Sequence, residues 1–127
     1  MIKIAEIDKT KYSVITPNIR SNTVVLTDNQ EAHIIKQRGQ DFFDTYNPYF
    51  KEIAEDPDYI FADPNHPNTA IACKTLIVDG ANVHLVIRLA VEGDDTDLEN
   101  SIITALYENP KRYAQRLRNK IPLYKKE

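Results

Sequence analysis

The pattern of hydrophobic and polar positions differs between the two halves of this chain. In the first half, apolar residues recur at helical spacing between Asp, Asn, Pro and Gly residues, which predicts helices. These helices are expected at residues 30–38, from residue 42 onward and at 48–55. After residue 57, longer apolar runs rich in β-branched residues predict consecutive strands. The four strands are expected at residues 59–62, 69–78, 83–91 and 101–107.

Further signals lie at the two ends of the chain. Short β-like runs occur at residues 2–7, 12–15 and 23–27, and Asn109-Pro110 is typical of the start of a last helix, ending near residue 119. The breaks between the four later strands are short and rich in turn-forming residues, so neighbouring strands should pair as antiparallel hairpins. The sequence therefore predicts an α+β domain, with N-terminal helices packed on a twisted antiparallel sheet of about four strands and a C-terminal helix.

The composition is that of one globular domain. The chain has 127 residues, of which 42% are hydrophobic, and no repeat or linker divides it. Residues 1–127 are therefore predicted to form a single domain that buries its core without disulfides. A single cysteine, Cys73, excludes an intramolecular disulfide framework and a Cys-rich metal site, and it favours a cytoplasmic location. No apolar run approaches the ~20 residues of a membrane span, and no signal peptide is visible.

Charge is unevenly distributed along the chain, although the formal net charge is only −3. Residues 41–63 contain seven acids and one base, and residues 92–99 add five acids. Residues 111–127 reverse this balance, with seven bases and one acid. Such a basic segment can attract phosphate groups, and the alternative is an ordinary solvated helix face.

Familiar catalytic motifs are absent. The chain has no Gly-rich phosphate loop, dinucleotide fingerprint, Gly-x-Ser-x-Gly or His-Glu-x-x-His sequence, which disfavours nucleotide kinases, Rossmann enzymes, hydrolases with a nucleophile elbow and zinc peptidases. The acidic run 94–99 lacks the Gly and the final acid of a calcium loop. The histidines His33, His66 and His84 lie in different elements without ligand spacing. We therefore predict neither a metal site nor a cofactor.

Scattered residues suit acid–base chemistry beside a phosphate. RNA can be cleaved without a metal ion when its own 2′-hydroxyl attacks phosphorus, provided that protein groups move protons and cations neutralise the added charge. His carries protons, Arg and Lys neutralise charge, and Thr and Tyr hydroxyls bind oxygens. Each residue also has an ordinary structural interpretation, so a nuclease is one hypothesis among others at this point. The candidates are His33, Arg38, Lys74, Arg88, Thr104, Tyr107, Tyr124 and Lys125.

The order of several short segments is more specific than any one residue. The sharpest two are Pro57-Asp-Tyr-Ile60 and Asn100-Ser-Ile-Ile-Thr104, and the others stand before, between and after them. They include Val24-Val-Leu-Thr-Asp28, Glu31-Ala-His33-Ile34, Asn47-Pro-Tyr-Phe-Lys-Glu-Ile53, Asn68-Thr69, Val83-His-Leu-Val-Ile-Arg-Leu89 and Leu123-Tyr-Lys-Lys126. Together, over residues 23–126, the series resembles the phage-associated nuclease family of the Barnase, EndoU, colicin and RelE-like superfold. Residues 1–22 lie outside the resemblance, as a leading strand pair or a segment of a larger protein.

The resemblance implies a small metal-independent RNase, of the kind used as toxins or found in mobile elements. His33 resembles the family's helix-borne catalytic histidine, Thr104 its strand hydroxyl, and Tyr124 with Lys125 its C-terminal active-site edge. Lys74 or Arg88 would be the strand cation. The full expected set is catalytic His33, Lys74, Thr104 and Tyr124, with substrate-binding Arg38, Arg88, Tyr107, Arg112, Arg116 and Lys125. Relatives often carry a second histidine just after the position of Arg38, where this chain has Gly39.

The sequence thus predicts a toxin-like, bacterial or phage-encoded endoribonuclease whose partners are RNA, with tRNA as one candidate, and a cognate inhibitor or immunity protein. The alternatives are a non-catalytic RNA- or protein-binding module and a structural component of a phage or mobile element. For a shared active site, His33 should lie on a helix packed against the sheet. Lys74, Arg88 and Thr104 should lie on neighbouring strands with their side chains on one face.

Overall fold

A computed structural model describes all of residues 1–127. It contains a seven-stranded sheet, five α-helices and one 3₁₀ turn at Asn47–Tyr49. The strands are β1 (Ile2–Glu6), β2 (Thr23–Leu26), β3 (Tyr59–Ala62), β4 (Thr69–Thr75), β5 (Asn82–Arg88), β6 (Asn100–Glu108) and β7 (Tyr124–Lys125). The helices are α1 (Lys9–Tyr12), α2 (Asp28–Arg38), α3 (Gln40–Tyr46), α4 (Phe50–Glu55) and α5 (Pro110–Asn119).

The sheet is larger than expected and is mixed. Its strand order is β1-β2-β6-β5-β4-β3-β7. The four predicted strands form its antiparallel centre, but β2 joins β6 in parallel, with Val24 opposite Asn100. The expectation of an antiparallel sheet of about four strands is therefore wrong. The runs at 2–7 and 23–27 pair at one edge, and β7 pairs with β3 at the other, through contacts between distant parts of the chain.

One short run does not form a strand. Residues 12–15, expected to be β-like, lie at the end of α1 and in the turn that follows it. Tyr12 is fully buried there, and its hydroxyl donates to the carbonyl oxygen of Ala54 at 2.7 Å. Burial of this large ring against α4 outweighs its preference for strands.

Helix ends follow local chemistry. Helix α2 begins after Thr27, whose hydroxyl accepts from the Gln30 N–H at 3.2 Å, so the helix starts two residues before the predicted residue 30. The helix ends at Gly39, where φ is 98°. Helix α5 begins as predicted, with the Asn109 side chain accepting from the Arg112 N–H at 2.9 Å.

Helices cover both faces of the sheet, because side chains alternate along each strand. Val83, Leu85 and Ile87 of β5 point to the face that we call the main-core face. They belong to a core of 22 buried residues, which also includes residues of α1 to α4. The opposite face, here called the α5 face, carries a small cluster of Phe61, Cys73 and Tyr113. The C-terminal helix therefore lies on the opposite side of the sheet from the N-terminal helices.

Edge strand β7 is held by an ionic cluster around Asp56. The ammonium of Lys74 lies 2.7 Å from the Asp56 carbonyl oxygen, 3.2 Å from its carboxylate and 3.7 Å from that of Asp58. Lys126 reaches the same Asp56 carboxylate at 2.7 Å. Hydrogen bonds from Lys126 and Lys74 hold the pKa of Asp56 below its usual value. Only 7% of the Lys74 side chain is exposed, so this lysine is part of the packed structure.

Replacing Lys74 by Met should therefore lower stability. The change leaves the Asp56 carbonyl and the Asp58 carboxylate without their cation, and because both acids are partly exposed the cost should be only about 1–3 kcal/mol. Thermal unfolding should show a melting temperature lower by several degrees. Lys126→Met is the control, since it breaks a more exposed pair and should cost less. Parental stability of Lys74→Met would contradict this structural role.

Candidate functional site

The predicted catalytic residues do not share one face of the sheet. As expected, His33 lies on a helix, and β4, β5 and β6 are neighbours. Lys74, however, points to the main-core face and contacts Asp56, whereas Thr104 pairs with Val86 and points to the α5 face with it. Tyr124 lies opposite Ile60 and packs against the main core. The expectation of one shared site for His33, Lys74, Arg88 and Thr104 is therefore wrong.

The predicted substrate-binding residues are divided as well. Arg38 donates from Nε to the Ala105 carbonyl oxygen at 3.1 Å, on the main-core side. Arg88 forms an ion pair with Asp94, which lies in the loop after β5. Lys125 is exposed at the β7 edge, and Tyr107 is half exposed near the end of β6. Only Arg112 and Arg116, both on α5, lie together.

A groove of about 570 Å³ runs between α5 and the turn that follows β3. We call it the α5 groove. One wall is formed by α5 and Lys120, and the other by the turn at Asp63–Asn65, while Ile71 and Leu106 form the floor. The polar groups along the helix wall are Arg112, Gln115, Arg116, Asn119 and Lys120.

Arg116 and Glu108 fix one part of the helix wall. The guanidinium makes two hydrogen bonds to the carboxylate, at 3.0 and 2.9 Å, and it also lies 5.7 Å from the centre of the Phe61 ring. The hydrogen bonds from Arg116 hold the pKa of Glu108 below its usual value, and the same bonds raise the pKa of Arg116. Arg112 and Lys120 form no ion pair, so they are the cations available to a ligand.

Asp63 of the opposite wall pairs with His66, which lies next to the groove but does not line it. Nδ1 of His66 lies 3.1 Å from one carboxylate oxygen of Asp63, and the other oxygen accepts from the Asn65 N–H at 2.8 Å. Burial raises the pKa of Asp63, but these hydrogen bonds outweigh it and lower the pKa overall. An imidazole oriented through one nitrogen can transfer a proton through the other. Sequence reasoning gave His66 no role, although the Asp63-Pro-Asn-His66 turn was the available signal.

Polar atoms without partners are buried near the same face. They are both ring nitrogens of His84, the hydroxyl of Tyr113 and the hydroxyl of Thr104. The His84 and Tyr113 rings lie 5.2 Å apart. Burial lowers the pKa of His84 to about 4, so this ring is neutral at pH 7. Buried polar groups without hydrogen bonds are uncommon in native proteins. All four of these side-chain atoms lie on the α5 face.

Comparisons with known proteins do not identify a family. No family model, no curated protein and no solved structure matches the chain. No helix is long and apolar enough to cross a membrane. No three His, Cys, Asp or Glu side chains lie in an arrangement that could hold a metal ion. The catalytic roles of His33, Lys74, Thr104 and Tyr124 stay predictions from the resemblance, but the sheet divides these residues, so they do not form one site together.

His84 should make the fold sensitive to mild acid. Because its folded pKa lies below its unfolded value, the unfolded chain binds more protons as the pH falls below about 6.5. The free energy of unfolding should therefore fall by about 2 kcal/mol between pH 7 and pH 5 from this group. Denaturant unfolding of His84→Leu should show a shallower pH dependence over this range. An unchanged slope would contradict the buried, neutral state of His84.

Proposed function

We propose that the chain is a metal-independent endoribonuclease that binds the RNA backbone in the α5 groove. The observation that carries this proposal is that Arg112, Arg116 and Lys120 line the groove together with Asp63, whose carboxylate contacts the imidazole of His66 beside the groove. Cations and an oriented imidazole are the groups that cleavage by a 2′-hydroxyl requires. The family resemblance over residues 23–126 supports the same chemistry. An RNA substrate would place the activity in the cytoplasm.

The shape and charge of the groove suit a single strand. Arg112 and Lys120 are free to contact successive phosphates, which releases counterions and gives salt-dependent affinity. The amides of Gln115, Asn119 and Asn65 offer both donors and acceptors to the edges of unpaired bases. The Arg116–Glu108 pair keeps the helix wall in place before RNA binds.

Cleavage would proceed by proton transfer at His66. The ring accepts the proton of the 2′-hydroxyl at Nε2, while Nδ1 stays hydrogen-bonded to Asp63. The 2′-oxygen forms a bond to phosphorus, the bond from phosphorus to the 5′-oxygen breaks, and the leaving oxygen takes a proton from solvent. The products are a 2′,3′-cyclic phosphate and a 5′-hydroxyl. Arg112 and Lys120 stabilise the additional negative charge on the phosphoryl oxygens.

A second candidate is a non-catalytic RNA-binding module. It is favoured by the division of the predicted catalytic residues between two faces and by Gly39 at the position of the second histidine. The α5 groove would then bind RNA with the same cations and without chemistry. A cognate inhibitor protein is expected only if the chain is a toxin-like ribonuclease.

RNA cleavage should not require a divalent cation, because the nucleophile belongs to the substrate. Purified protein incubated with total RNA and excess EDTA should give discrete fragments, with 2′,3′-cyclic phosphate ends on analysis of the products. A DNA strand of the same sequence should stay intact, since it lacks the 2′-hydroxyl. Cleavage abolished by EDTA and restored by magnesium would overturn the mechanism. Intact RNA that is retarded in a gel would select the binding module.

Two histidine variants test whether the catalytic histidine is His66, which the geometry of the groove suggests, or His33, which the family resemblance suggests. His66→Ala should lower the cleavage rate by roughly 10²- to 10⁴-fold if His66 transfers the proton, with little change in RNA affinity. His33→Ala is the matched control, because His33 is exposed on α2, on the main-core side. Single-turnover cleavage and filter binding measure the two quantities. A large loss for His33→Ala with parental cleavage by His66→Ala would favour the family assignment and reject the role of His66.

A further inference from the structure

Helix α5 is attached to the sheet by few contacts. Of its ten residues only Tyr113 is buried, and Leu117 packs partly against the same small cluster. One ion pair, between Arg116 and Glu108, adds to this packing, and the Arg116 guanidinium also lies over the Phe61 ring. The docked position of α5 therefore depends on two anchors, which are the Tyr113 ring and the Arg116–Glu108 pair.

The charges of α5 do not stabilise it as an isolated helix. Its sequence contains four bases and no acid, so no ion pair can form within the helix. Two of the bases, Lys111 and Arg112, lie in the first turn, where the helix dipole favours acids instead. A helix of this length is marginal in water even when its sequence is favourable. Contact with the sheet is therefore what keeps α5 helical.

The chain on either side of α5 is fixed independently of the helix. Before α5, strand β6 pairs with β5 as far as Glu108, which lies opposite Asn82. After α5, the Leu123 N–H donates to the Ile60 carbonyl oxygen at 2.9 Å, and β7 pairs with β3. The connection between α5 and β7 includes Ile121, which is 87% exposed and so has little packing to lose. Helix α5 can therefore leave the sheet while both neighbouring strands stay in place.

His84 lies directly under α5 and is fully buried there. Neither of its ring nitrogens has a hydrogen-bond partner. The titratable and charged groups around the ring come from the three elements packed against it. They are Cys73 opposite it in β4, Glu108 on the same face of β6, and Tyr113 and Arg116 on α5.

A proton on His84 acts against the docked position of α5. The charged ring has two N–H donors, and neither has an acceptor in this position. Both carboxylate oxygens of Glu108 are occupied by Arg116, so Glu108 can turn to the ring only by releasing an anchor of the helix. Burial lowers the pKa of His84 to about 4 while α5 is docked, and exposure to water restores a value near 6.5. Detachment therefore becomes more favourable as the pH falls.

We propose that α5 detaches from an otherwise folded sheet and that protonation of His84 favours the detached position. Partial opening of this kind occurs where an element has few buried contacts. Detachment removes the helix wall of the α5 groove, because Arg112, Arg116 and Lys120 then lose their fixed positions. Weaker RNA binding in mild acid is a consequence that rests on the proposed function, whereas the opening itself does not.

Cys73 is a natural probe of the opening, because it is the only cysteine and is fully buried in the cluster under α5. Labelling of the intact protein with a dithiodipyridine reagent, divided by the labelling rate of the unfolded chain at the same pH, gives the exposed fraction of the thiol. This fraction should exceed the unfolded fraction obtained from denaturant unfolding. It should rise about 20-fold between pH 7 and pH 5, because the detached state binds the proton of His84. His84→Leu should remove most of this rise.

Two carboxylate variants distinguish local opening from global unfolding. Glu108→Gln weakens an anchor of α5 and should raise the exposed fraction of Cys73 at pH 7 by roughly three- to tenfold. Glu55→Gln is the control, because it breaks an ion pair with Lys51 on the main-core side of the sheet. The control should lower the free energy of unfolding without changing the labelling of Cys73. If Glu108→Gln does not fold, the parent protein still decides through the comparison of its labelling with its denaturant unfolding.

The outcomes separate this inference from the proposed function. An exposed fraction that equals the unfolded fraction, or equal increases in Glu108→Gln and Glu55→Gln, overturns the detachment of α5. An acid-dependent rise that survives His84→Leu overturns the role of His84. The labelling experiment contains no RNA, so a protein that neither binds nor cleaves RNA rejects the proposed function alone. RNA binding that is equally tight at pH 5 and pH 7, in a protein whose thiol becomes exposed in acid, rejects the α5 groove as the RNA site.

Discussion

Pairing of β5 with both of its neighbours is the constraint on which the rest of the structure depends. This strand pairs with β4 and β6 along its length, and its residues from Asn82 to Ile87 are buried. A strand buried on both faces needs a cover on each side, because its side chains alternate. The N-terminal helices cover Val83, Leu85 and Ile87, and α5 lies over His84. The position of α5, and with it the α5 groove, follows from this requirement.

Elements with local signals were predictable, and pairings between distant segments were not. Helix α5 has its Asn cap and first-turn Pro in adjacent positions, so the sequence is sufficient to place its start. The four central strands likewise follow from apolar runs separated by short turns. The parallel contact between β2 and β6 has no such signature, because it joins Val24 to Asn100 across most of the chain. The β3–β7 pairing is equally non-local, and β7 is only two residues long.

Strand register explains why the residues of the expected active site lie on different faces of the sheet. The turn between β4 and β5 places Lys74 opposite Val83 and Thr69 opposite Arg88. Lys74 and Arg88 then fall on different faces, because Arg88 is five positions after Val83, an odd number, and side chains alternate along a strand. A register irregularity between β5 and β6 further changes which residues of β6 face α5. The basic charge of residues 111–127 was sufficient to select Arg112 and Arg116 as candidates for RNA binding. The proton-transfer role proposed for His66 depends on the position of α5, which the sequence does not give.

Strand β7 protects an edge of the sheet that would otherwise be open to other chains. Its two residues pair with Tyr59 and Ile60 of β3. The ion pair between Lys126 and Asp56 holds β7 in this position. Proteolytic trimming of the last few residues would therefore uncover β3 as a free edge next to the aromatic residues Tyr59 and Phe61. Exposed edge strands of this composition recruit further strands from other molecules. Cleavage ahead of β7 would thus promote strand-to-strand association between molecules of the protein.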